Sequence, residues 1–267
     1  IYKENYGGKS MKRRVALVSA IVLTLVSSIP TYAGTDFLVP EDNSEDRVVS
    51  QKVYDDVITE ELAALEDKYD MTKNMPEEVL AELSEVAEVS KEVEQLDDEY
   101  MQVSYNIFSE EPIMERTYNS GNTEELYNVT NYTYVVPLAN SSGSTTDQSK
   151  QSDITIKNVA YYSYYNNSGI KMLKVKRGTT AITRFVKSNL RNLVLNVLSQ
   201  GGSSGGAKNE SNSKTIASPQ LNRNYGLTTG IQYFYATNAA KILYGSSVTY
   251  TSGGKSYTAR AQISLGN

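Results

Sequence analysis

The sequence predicts an α+β protein in two parts, an N-terminal acidic helical hairpin followed by an antiparallel all-β domain of sandwich type. Three observations predict it. Apolar residues recur at helical spacing between residues 51 and 100, the spacing changes to alternation after about residue 130, and the charge changes sign between the two regions. Residues 41–100 hold 21 Asp and Glu against 5 Lys and Arg, a net of −16, whereas residues 126–267 hold only Asp147, Asp153 and Glu210 against 15 Lys and Arg, a net of +12. The total of −5 conceals two opposed halves.

The first residues read as an export signal. From Met11 the chain runs Lys12, Arg13, Arg14, then Val15 to Ile29 without a charge, then Pro30, Thr31, Tyr32 and Ala33, which is a basic region, an apolar region and a small-residue cleavage site. The uncharged stretch is 15 residues long, whereas a spanning helix needs roughly 20. Residues 1–10 fit no targeting pattern. Gly7, Gly8 and Lys9 suit a purine-rich ribosome-binding sequence just before Met11, so these ten residues read as untranslated leader in a bacterial gene. Cleavage after Ala33 leaves 267 − 33 = 234 residues, beginning at Gly34. No Cys is present to accept a lipid, and Ile263 to Asn267 form no hydrophobic sorting tail, so the expected product is secreted, released or held noncovalently at the cell surface.

Residues 34–50 are polar and acidic and read as a flexible segment. Tyr54, Ile58, Leu62, Leu65 and Tyr69 then lie on one face of a helix over about 51–70. A second helix is expected from Pro76, with Glu77 and Glu78 at the positive end of its dipole and Val79, Leu80, Leu83, Val86, Ala87, Val93, Leu96 and Tyr100 as its apolar stripe. Residues 101–129 read as a linker and 130–267 as a Tyr-rich basic β domain. Residues 130–138 suggest a strand. Ile154 to Tyr165 and Ile170 to Lys176 are β-branched and aromatic runs separated by the turn residues Asn166 to Gly169. Residues 181–198 suit a helix or a strand, and the β flanks favour strand. Ser199 to Lys214, with four Gly, read as a long mobile loop, and Ile231, Tyr233 and Tyr235 mark a further strand. At the C-terminus Gly253 and Gly254 sit as a two-residue hairpin loop, pairing Tyr250 with Tyr257. That register puts Val248, Tyr250, Tyr257, Ala259, Ala261, Ile263 and Leu265 on a core face. Thr249, Thr251, Ser256, Thr258, Arg260, Gln262 and Ser264 fall on a solvated one.

The composition removes much chemistry. With no Cys and no His, disulfides, thiolate metal sites and the usual neutral-pH general base are absent. Gly254-Lys255-Ser256 resembles the end of a phosphate-binding loop, but Thr249 stands where that loop needs Gly and the tripeptide lies in a hairpin. Asp42, Ser44 and Asp46 hint at a calcium loop, but Arg47 replaces the invariant Gly and Val53 the bidentate Glu. A hydrolytic carboxylate pair needs two rigid acids, and the β domain has three acids, two of them in polar loops. A Ser/Lys dyad stays open, with no spacing to single one out. The expectation is a protein without enzymatic activity, cofactor or metal.

Tyrosine is the remaining signal, 21 in all and 15 after residue 100, with no Trp. Tyr161, Tyr162, Tyr164 and Tyr165, flanked by Lys157, Lys171, Lys174 and Lys176, are candidate ligand-binding residues: aromatic platforms for sugars or bases beside cations. Alternate tyrosines also suit the two faces of an ordinary strand. The preferred expectation is a secreted binder of an anionic polymer or surface (cell-wall polymer such as teichoic acid, nucleic acid or anionic membrane), with the acidic helical segment as an intramolecular mask or propeptide. The alternatives are a toxin or bacteriocin-like precursor acting on membranes, and a passive cell-surface structural protein.

Overall fold

Along residues 123–137 side chains alternate between two different apolar environments, and this alternation sets the order of layers. Tyr132, Tyr134 and Val136 pack with helical residues, whereas Val129 and Val135 pack with residues of a second sheet. Strands present successive residues to opposite faces, so this strand lies in a sheet covered on both sides. The computed structural model describes residues 2–6, 46–138, 151–237, 240–252 and 254–265. The expected signal peptide, residues 34–45 and Asp147 lie outside the described residues, whereas residues 2–6 of the expected leader form a strand paired with residues 89–93.

The large sheet has ten strands in the order β1 (Tyr2–Tyr6), β3 (Ala87–Gln95), β4 (Tyr100–Ser109), β6 (Thr123–Pro137), β7 (Ile154–Asn167), β8 (Ile170–Phe185) and β11 (Tyr225–Thr228). Strand β12 (Phe234–Tyr235) also pairs with β8. Strand β5 (Met114–Tyr118) pairs with the first part of β6 and with β2 (Val48–Val53). The second sheet has four strands, β10 (Gly206–Ile216), β9 (Ser188–Ser203), β13 (Lys241–Ser252) and β14 (Lys255–Leu265). Every pairing among the described strands is antiparallel.

Helices α1 (Val57–Lys68) and α2 (Glu77–Leu83) cover one face of the large sheet. Asp56 starts α1 by accepting the Thr59 N–H at 3.0 Å, and its carboxylate also takes both bonds from the Asn128 amide at 2.6 and 2.7 Å. Ile58, Leu62 and Leu65 face the sheet as their spacing requires. The turn between the helices is tied down as well, since the Tyr134 hydroxyl donates to the Met71 carbonyl at 2.9 Å and the Ser152 N–H to the Lys73 carbonyl at 2.8 Å.

The four-stranded sheet covers the other face. Leu193, Leu195, Val197, Tyr244, Val248 and Ile263 interleave with Ile154, Ile156, Ala160, Val175 and Ile182. Close approach is achieved at Gly178, whose missing side chain is replaced by the ring of Tyr244 from the opposing sheet. Asn158 bridges the sheets there, its side-chain oxygen accepting from Thr180 at 2.6 Å and Ser246 at 2.9 Å.

These layers overturn the predicted two-part fold. Of the described residues, 64% are strand and 9% helix, and the helices are a layer on the sheet rather than a separate hairpin. The first helix spans Val57–Lys68, not 51–70, because Val48–Val53 pairs with β5. The second ends at Leu83, and residues 87–95, expected as its continuation, form β3 paired along its length with β4. The reason is local. In Ala87-Glu88-Val89-Ser90-Lys91-Glu92-Val93-Glu94 the apolar residues Ala87, Val89 and Val93 all fall on one phase of a two-residue alternation that only Lys91 interrupts, and β-branched Val favours a pleated strand once a neighbour offers hydrogen bonds. Residues 101–129, read as a linker, hold β4, β5 and the start of β6. Ser199 to Lys214 is no loop: it closes β9 and forms β10, with only the turn at 204–205 between. Residues 181–198 hold the end of β8 and the start of β9, with Val186 and Lys187 between them, and the C-terminal hairpin pairs Tyr250 with Tyr257.

Candidate ligand-binding surfaces

The candidate tyrosines do not form one platform. Strand alternation sends Tyr161 and Tyr165 to the helix-covered face, with Lys157 and Lys174, and Tyr162 and Tyr164 to the opposite face, with Lys171. Lys157 is 2.7 Å from Glu66 of α1 and lies over the Tyr132 ring at 5.3 Å, so it fastens the helix to the sheet. Tyr161 packs on Ile113, Met114 and Leu126.

Tyr165, Lys174 and Lys176 gather around a buried carboxylate. Glu124 of β6 lies 2.9 Å from the Lys176 ammonium and 3.4 Å from the Arg116 guanidinium, and it accepts the hydroxyls of Tyr118 and Tyr233, each at 2.7 Å. Burial alone would push this carboxyl up. Lys176, the Tyr233 hydroxyl and the Tyr118 hydroxyl outweigh it and hold the group at about 2. Burial and the adjoining Glu124 charge push the Tyr233 and Tyr118 hydroxyls upward. Arg116 also donates to Gln51 of β2 at 2.8 Å, and Tyr165 stands 5.4 Å from Tyr233. Every polar atom of Glu124 is thus engaged by the fold, and the cluster ties β2, β5 and the 229–233 segment to the sheet.

Tyr162, Tyr164 and Lys171 open on a groove of about 590 Å³ where the large sheet extends past the small one. Tyr162 stacks on Tyr127 at 5.6 Å and meets Tyr164 edge to face at 5.8 Å, while the Lys171 ammonium sits 3.7 Å from the Tyr164 centroid. Glu88, Ser90, Asn106 and Phe108 of β3 and β4 face them, and Gln262 and Ser264 of β14 with Ala236, Thr237 and Ala240 form the remaining walls.

The outer face of the small sheet is a different surface. Register places Asn209, Ser211, Ser213 and Thr215 of β10 beside Asn192, Asn196 and Gln200 of β9. Ser247, Thr249 and Lys241 of β13 and Thr258, Arg260 and Gln262 of β14 share this face, with half-buried Val194, Leu198 and Leu243 among them. Arg260 and Lys241 are exposed, and so are Lys255 and Arg191 toward the hairpin end. Among its described residues this face carries no carboxylate. Glu210 points inward, accepting the Gln232 N–H at 3.0 Å. The acidic α1 and α2 lie on the far side of the large sheet, so the charge imbalance along the chain becomes an imbalance across the molecule.

Sequence reasoning placed Arg260 on the solvated face of the hairpin but missed Lys241, whose partner β9 was ambiguous. It missed Glu88, Asn106 and Phe108 entirely, because β3 read as helix and β4 as linker. Among the described residues no group of His, Cys, Asp or Glu is arranged to hold a metal ion, and no helix is long and apolar enough to cross a membrane. No family model matches the chain, and neither a curated protein nor a solved structure is detectably similar to it.

Proposed function

We propose that this is an exported, non-enzymatic binding protein that lays the outer face of its four-stranded sheet on an anionic polymer outside the cell. One observation carries the reading: Lys241 and Arg260 stand exposed on a sheet face that has no carboxylate among the described residues, with Arg191 and Lys255 exposed toward its hairpin end. The hydroxyl and amide side chains between them supply short-range hydrogen bonds, and the cations supply long-range attraction. The acidic segment enters as a structural layer rather than as a removable cover, since β3 and both helices build the core.

The test is retention of the full chain on immobilised teichoic acid, duplex DNA and anionic vesicles at low and high salt, beside a Lys241→Ser/Arg260→Thr variant. Each phosphate neutralised on duplex DNA adds about 0.9 to the slope of log affinity against log salt, so the double variant loses about 1.8 of that slope. Salt-independent retention, or retention unchanged in the variant, sinks the reading. Leakage of the vesicles would favour a membrane-active protein instead.

A further inference from the structure

We infer that the groove between β14 and the β3–β4 face is a second binding site, and that its ligand is a neutral oligosaccharide. The size fits, since about 590 Å³ falls inside the usual range for small-ligand sites. One wall is aromatic and fixed in place. Tyr162 and Tyr164 are wedged against each other and against Tyr127, and Lys171 lies on the Tyr164 ring, so neither phenol must be ordered when a ligand arrives. The facing wall is made of Glu88, Ser90 and Asn106, a carboxylate, a hydroxyl and an amide, with Phe108 beside them. Tyr162 is buried and stacked on Tyr127, and Lys171 covers one face of Tyr164, so the half-exposed Tyr164 ring is what the aromatic wall offers to the C–H face of a pyranose, opposite planar acceptors and donors for its hydroxyls.

The third wall is backbone. The Arg260 N–H points away from β13 to the Gln102 side-chain oxygen at 3.3 Å, which fixes the direction of alternate peptide groups along this edge. By the same alternation Gln262 and Ser264 direct their N–H and C=O groups away from β13, toward the groove they line. These donors and acceptors are rigid and uncharged, as recognition of a hydroxyl-rich chain requires.

Charge separates this site from the outer face. Of the residues lining the groove only Glu88, Glu92 and Lys171 are ionic, a formal total of −1, which disfavours phosphate and carboxylate polymers. The two ligands therefore differ in class, and one protein would hold an anionic polymer on one surface and a neutral glycan beside it.

The experiment is calorimetric and NMR titration of the full chain with chitotetraose, cellotetraose and maltotetraose at low and high salt. We expect saturable, salt-independent binding of at least one, with shifts in the Asn106 side-chain amide and in the Gln262 and Ser264 backbone amides. Tyr164→Ala should weaken it at least about tenfold, a loss of about 1.4 kcal/mol. Glu88 is exposed, so Glu88→Gln keeps the fold and should weaken binding about fivefold by removing one charged acceptor. Lys241→Ser/Arg260→Thr should leave it unchanged. Saturation by none of the three sugars overturns the inference. So does binding that both groove variants tolerate, or groove shifts produced only by an unstructured Thr-rich peptide.

Discussion

Gly178→Ala tests the packing of the two sheets at its tightest point. A methyl group on Gly178 would stand 2.0 Å from Cε2, 2.2 Å from Cζ and 2.4 Å from Cδ2 of Tyr244. Carbon atoms need about 3.5 Å, so the ring must withdraw by about 1.5 Å. Tyr244 has nowhere to go: it is fully buried, and its hydroxyl lies 3.0 Å from Thr180 Oγ1, which itself serves Asn158. Overpacking of this kind costs about 1–3 kcal/mol, and the strained hydroxyl bond adds about 1 kcal/mol. The lower entropy of unfolded Ala returns about 0.4–1 kcal/mol. The expected net loss is about 2–3 kcal/mol. With a urea m-value of about 2 kcal/mol/M, the denaturation midpoint should fall by about 1–1.5 M at unchanged m. In the pair Gly178→Ala/Tyr244→Leu the clash is gone, so the two losses should fail to add by about 1–3 kcal/mol. A midpoint within about 0.2 M of the parent, or strict additivity, would refute the account of how the sheets meet.

Two further outcomes follow from single groups. Glu124 is held at about 2 against an ordinary 4.5, so its folded form binds fewer protons than the unfolded chain in that interval. A depressed carboxyl contributes stability that is complete above the unfolded value and is lost as pH falls from about 4.5 to 2, here about 3 kcal/mol. Denaturant titrations across that window should show the loss in the parent and a much shallower one in Glu124→Gln, whose stability is already lower at neutral pH; equal slopes would contradict the assignment. Asp56→Ala removes the cap of α1, worth about 0.5–2 kcal/mol, and leaves the Asn128 amide only its 3.2 Å bond to Thr59, for about 1–3 kcal/mol more. A loss of about 2–4 kcal/mol is expected in urea titration, and one below about 0.5 kcal/mol would show that the cap is idle.

What the sequence disclosed depended on whether a strand's partner was local. The 254 hairpin was legible to the residue because Gly253 and Gly254 fix both register and facing, and Val248, Tyr250, Ala259, Ala261 and Ile263 are buried as that register demands. The β7–β8 turn was legible for the same reason, with Ser168 and Gly169 both at positive φ. Strand β3 was not, since Val89 and Val93 satisfy both periods and only pairing with β4 decides between them. Strand β10 could not be read from hydrophobicity. Its inward positions Lys208, Asn212 and Lys214 bond to Gln232, Thr228 and Gly226 instead of entering an apolar core. The groove draws on β3, β4, β7, β8 and β14, so no local pattern could have announced it.

The same distinction decides what the acidic segment can do. Sheets lie about 10 Å apart and a helix is about 10 Å thick, so the helical layer stands roughly 20 Å from the outer face of the small sheet. The screening length at physiological salt is about 8 Å, which leaves the two charge layers nearly independent. A cover must touch what it covers, and α1 and α2 touch the opposite face of the large sheet. Removal would also cost the fold: of the sixteen buried residues in the helix-side core, the ten from Ile58 to Val89 belong to the acidic segment. Deleting residues 46–100 should therefore abolish cooperative unfolding and polymer binding together, as read by near-UV circular dichroism and retention on teichoic acid. A folded 101–267 fragment that binds more tightly than the full chain would restore the propeptide reading and remove the structural one.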